Sequence, residues 1–111
     1  MRDRLEVESV ELAAAFRSVN AQTQKRVATQ MVERALAAQE PPLEVPGDPA
    51  ARDALLAELD TSEDEANFRR ARAVAAVTFL GQDAYEDALY EALHARANTS
   101  DAAPETLDHL G

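Results

Sequence analysis

ARAVAAVTFL, residues 71–80, is apolar on nearly every side after Arg72, which is the pattern of a helix surrounded by other helices. It reads as the central helix of an all-helical chain. Just upstream, Thr61-Ser62-Glu63-Asp64-Glu65 holds a capping box, Ser62 with Glu65 three residues on, and its acids lie where the helix dipole favours negative charge. Downstream, Gly81 reads as the stop, a residue tolerant of left-handed backbone, and the next helix is expected to begin near Asp83. In that helix Tyr85, Ala88, Leu89, Ala92 and Leu93 follow the i, i+3, i+4, i+7, i+8 spacing of one buried face. The same spacing puts Asp87, Glu91 and His94 on the solvent side.

Further out, residues 40–49, EPPLEVPGDP, contain four of the five prolines and form a rigid, non-helical connector, because proline removes donors and biases its predecessor toward extended backbone. Asp48-Pro49 then starts a short helix carrying Leu55, Leu56 and Leu59: the aspartate supplies the cap oxygen, and proline fits the first helical position. Toward the N-terminus, Leu5, Leu12, Phe16 and Val19 share a helical face. A second stripe, Val27, Ala28, Met31, Val32, Ala35 and Leu36, follows it and ends near Gln39. The pattern weakens between Ser18 and Thr23, where Asn20 can cap a new helix, so a break is expected there. The end of the chain, ANTSDAAPETLDHLG, is polar, includes Pro104, and offers only Leu107 and Leu110 for docking. The expected architecture is an all-α bundle of four to five helices. Residues 1–97 form a single helical domain and residues 98–111 a flexible, mobile tail.

Composition makes the core thin. Leu, Val and Phe together supply 23 of 111 residues and there is no Ile, close to the level at which acidic chains fail to fold. The 24 alanines offset this through helix propensity and close helix approach. A partner, or a second copy in a homodimer, can supply further burial. The net charge of −10 disfavours nucleic acid and anionic membranes, and it favours a basic protein surface. Residues 40–67 hold nine acids against one Arg, so most of the charge lies in one third of the chain. Without cysteine there is no thiolate chemistry. No run is long and apolar enough for a signal peptide or a span, so a soluble, cytoplasmic protein is expected. Ten Arg to one Lys suggests a GC-rich, bacterial genome.

Three groups of residues invite a chemical reading. Asp83, Asp87, Glu91 and His94 include a Glu-x-x-His spacing of the kind that places two metal ligands on one helical face, with Asp87, Glu91 and His94 as the candidate ligands. A full di-metal site needs two such pairs and two further Glu, the cluster lies opposite the apolar stripe where a metal would face water, and a solvated acidic face is the favoured reading. Arg69, Arg70 and Arg72 form the one dense positive patch and could hold an anion or, through Arg69 and Arg70, contact a partner, but Glu65 and Arg69 are spaced for an internal pair. Glu58, Asp60, Glu63 and Asp64 belong to the acidic third, which either docks on a basic cleft or only keeps the chain in solution. Tyr90 is a candidate interface anchor. No Gly-rich phosphate loop and no Ser/His/acid set can be assembled, so no cofactor and no enzyme activity are expected.

The functional expectation is a small acidic protein–protein interaction module, of the inhibitor, immunity or antitoxin-like kind, or an accessory subunit. The alternative is a homo-oligomeric metal-binding bundle built on Glu91 and His94.

Overall fold

Four of the helices begin where a side chain, Ser9, Asn20, Asp48 or Asp64, replaces a missing backbone partner. The computed structural model describes Leu5 and residues 9–39, 43–61, 63–96 and 99–110, and for residues 99–103 the backbone alone. These residues form six helices: α1 (Val10–Ser18), α2 (Ala21–Ala37), α3 (Pro49–Asp60), α4 (Glu65–Gly81), α5 (Tyr85–His94) and α6 (Thr99–Leu110). The described residues include no strand.

The expected break near Asn20 is present. The Asn20 side chain accepts from the Thr23 N–H at 2.8 Å and starts α2. Gln24 reinforces the corner by donating its amide to the Phe16 carbonyl at 2.9 Å and the Val19 carbonyl at 3.3 Å, so carbonyls left over at the end of α1 are satisfied. Asp48 caps α3 as expected, accepting from the Ala51 N–H at 3.1 Å with Pro49 in the first position.

Two boundaries differ from expectation. The cap of α4 is Asp64, which accepts from the Ala66 N–H at 2.9 Å, so the helix starts at Glu65; Ser62 lies outside the described residues. Asp64 itself has the short acceptor side chain and extended backbone that a cap requires. At the other end Gly81 is still helical, and the left-handed residue is Asp83, with φ of 59°. Aspartate tolerates that conformation better than most side chains. Asp83 also accepts a hydrogen bond from the Tyr85 hydroxyl at 3.0 Å, and α5 begins only at Tyr85.

The core is assembled from Leu5, Leu12 and Phe16, the α2 stripe from Val27 to Ala35, Ala73 and Ala76 of α4, and Ala88, Leu89, Ala92 and Leu93 of α5. Among the described residues ten of the nineteen buried apolar side chains are alanine. Backbones can then approach closely, and dispersion contacts between helices replace side-chain bulk. α4 is central as expected, packing against α2, α3 and α5. At the far end of α2 the buried Gln39 amide donates to the Ala35 and Ala95 carbonyls, both at 2.9 Å, and so fastens the end of α2 to the end of α5.

The segment expected to be a mobile tail is instead helix α6, packed against α1, α2 and α5. Thr106 is fully buried, and Leu107 and Leu110 pack against the core. Glu105 anchors it, bonded to Arg34 of α2 and, at 3.3 Å, to Arg96 just after α5. Burial alone would raise the pKa of Glu105; the hydrogen bonds and charges of Arg34 and Arg96 outweigh it and hold the carboxyl below the usual glutamate range. Docking of this kind is invisible to local pattern, because the partners lie far away in sequence.

Candidate functional site

The described part of the acidic third comprises the non-helical residues 43–48, α3, Thr61, Glu63 and Asp64, and the first turn of α4. In α3, Leu55, Leu56 and Leu59 face inward but are only half-buried, and no residue of this helix is buried. Its outward side presents Ala50, Asp53, Ala54, Ala57 and Glu58, all exposed and spaced i, i+3, i+4, i+7, i+8, so they form one continuous face. Glu63 and Asp64 are exposed beyond its C-terminal end. The result is a low, negatively charged ridge in which alanines separate the carboxylates.

Arg72 lies at the base of this region and joins three helices. One guanidinium nitrogen is 3.1 Å from the carboxylate of Glu91 on α5, and another is 3.2 Å from Asp60 at the end of α3. The guanidinium carbon stands 5.6 Å from the centroid of the Phe68 ring on its own helix, within cation–π range. Phe68 is half exposed. The two carboxylates differ sharply in environment, since the Glu91 side chain is 2% exposed and that of Asp60 is 49% exposed. The inner pair therefore neutralises a charge that burial would otherwise make costly, while the outer pair is screened by water.

This arrangement corrects the placement of Glu91, expected on the solvent side. Ala88, Glu91, Ala92 and Ala95 are all buried, a second stripe of α5 beside the leucines, and Glu91 lies within it because Arg72 meets it there. The candidate metal ligands are not brought together. Asp83 accepts from Tyr85, Glu91 is bonded to Arg72, and His94 has its ring against Tyr90, with centroids 4.5 Å apart and planes at 46°. Asp87 is half-buried. Among the described residues no group of three or more His, Asp or Glu could hold a metal ion.

The arginine patch is engaged internally. Arg69 lies 3.8 Å from Glu65, the i, i+4 pair read from the sequence, and Arg72 holds Asp60 and Glu91. Arg70 is half-buried on the same helix. Of the candidate partner-binding residues, Glu58, Asp60, Glu63, Asp64 and Arg69 are placed on α3, the following loop and the start of α4; Tyr90 belongs to α5 and is half-buried. The pairing of Arg72 with Glu91, 19 residues on, left no signal in the local pattern.

A separate open groove of about 410 Å³ is lined by Gln30, Glu33, Arg34, Ala37 and His109, between α2 and α6. Arg34 is already bonded to Glu105 there. Among the described residues no helix is long and apolar enough to cross a membrane. No protein-family model matches the chain, and no curated protein or solved structure matches it either.

Proposed function

We propose that this chain is a small acidic interaction module that docks on a basic surface of another protein, as an inhibitor or accessory subunit does. The observation that carries the reading is the outward face of α3, where Asp53 and Glu58 stand exposed between three alanines. Short side chains let a partner approach closely, and the carboxylates attract and orient one rich in Lys and Arg. The same charge works against a nucleic acid, an anionic membrane or a second copy of this face, each of which would bring like charges together.

The test is affinity capture of the tagged protein from its own host at low and high salt, beside an Asp53→Lys/Glu58→Lys variant. One stoichiometric basic protein, released by salt and lost with the variant, is the expected result. A partner retained equally by the variant would place the contact elsewhere. Recovery of the chain alone would overturn the reading. The metal-binding alternative draws no support from the geometry, because the Glu91 carboxylate is already held by Arg72.

A further inference from the structure

We propose that α3 is a hinged arm, able to leave α4 and melt as a unit while the other helices stay folded, with Arg72 as its latch. This goes beyond the interaction reading and does not depend on it. Three observations carry it. First, the main hydrophobic cluster is assembled without α3: neither its buried members nor the half-buried residues packed against them include any residue from 49 to 60, and the buried residues outside it, Ala71, Val74 and Ala75, are on α4. Second, the chain is anchored on both sides of the arm. Leu43 packs against the core and donates its N–H to the Leu36 carbonyl at 3.1 Å, and Asp64 caps α4. The hinges therefore lie between Leu43 and Pro49, where Pro46 and Gly47 are exposed and non-helical, and at Thr61 and Glu63, both exposed.

Third, Arg72 divides its bonds so that separation stays local. When α3 leaves, Arg72 gives up only Asp60, a bond already in contact with water, and keeps the buried Glu91. No charge is orphaned in the interior, so opening carries none of the penalty that breaking the inner pair would. Once free, a helix of twelve residues is marginal in water, so the released arm unfolds and does not persist as a rod. Opening also bares Leu55, Leu56, Leu59 and their seat on α4, an apolar surface partly covered in the closed form.

Native-state hydrogen exchange on the full chain tests this. Amides of α3 should exchange about tenfold or more faster than those of α2 and α5, with little dependence on denaturant at low concentration. Asp60→Asn should speed α3 exchange about two- to fivefold and leave α2 and α5 unchanged. The sign is diagnostic: an acid at a helix C-terminus opposes the dipole, so without a latch the substitution would slow exchange. Equal protection of α3, α2 and α5, lost together in denaturant, would overturn the arm. Slowed or unaltered α3 exchange in Asp60→Asn, or faster exchange in every helix alike, would overturn the latch.

Discussion

Helices α3 and α5 invite comparison because the longer and more leucine-rich of the two is the less buried. α3 has twelve residues and three leucines but no buried side chain; α5 has ten residues and two leucines, and five of its residues are buried. Both are amphipathic and both begin after a turn, so local sequence does not separate them. What separates them is neighbours. α5 lies against α2, α4 and α6, whereas α3 packs on α4. The outer helix can therefore be formed by its cap and propensity while contributing little to the core, and its surface stays available for charge.

The sharpest challenge to this contrast is at Arg72, which serves both helices. Arg72→Met should destabilise the fold by about 3–5 kcal/mol, because it leaves Glu91 buried without a counter-charge. Asp60→Asn should change the urea midpoint only slightly, the outer pair being worth about 1 kcal/mol or less. Similar losses from the two substitutions would show that the pairs are not inner and outer in energy. Next in size is a pair of leucine truncations. Leu89→Ala, in α5, should cost about 3 kcal/mol, and Leu56→Ala, in α3, about 1 kcal/mol, by chemical denaturation. Equal costs would break the comparison outright.

Glu105 extends the contrast to α6, a helix fastened by charge as well as by packing. Its folded pKa is depressed, so its contribution is fully present above the ordinary glutamate pKa of about 4.3 and is lost as pH falls through the lower folded value. Glu105→Gln should lower stability by about 1 kcal/mol at neutral pH, and the difference from wild type should shrink in acid. A gap in melting temperature that persists unchanged below that window would argue against the clasp. The smallest effect expected is that of salt. Screening of the acidic third should raise the melting temperature by roughly a few degrees between low and moderate ionic strength. A fall would mean that ion pairs such as Arg17 with Glu86, 2.6 Å apart, outweigh the repulsion.

The parts of the fold legible in the sequence are those written in local chemistry. The non-helical connector over residues 43–48 (residues 40–42 lie outside the described residues), the Asp48-Pro49 start, the break at Asn20 and the buried stripes of α2 and α5 each follow from residues within a turn or two of one another. The parts that were not legible depend on distant partners. Glu91 looks solvent-facing because it falls at the edge of the stripe Tyr85, Ala88, Leu89, Ala92 and Leu93, and the burial of Ala95 beside Ala88 widens that face to take it in. Residues 99–110 look like a tail because Pro104 and a polar composition obscure the docking of Thr106, Leu107 and Leu110, which depends on a surface made by other helices. In the candidate site, the acidic ridge follows from composition and helical period, whereas the joining of Asp60, Arg72 and Glu91 is tertiary.

The packing of α1 against α6 closes the polypeptide into a ring, with partners separated by about 90 residues of chain. Loop-closure entropy makes such a contact slow to find, and it cannot form on the ribosome until α6 has emerged. The part of the α1 surface that α6 covers therefore waits through synthesis of everything between them, exposed to chaperones or to neighbouring chains. For this small protein the interval before ring closure is the period of greatest exposure to misassembly.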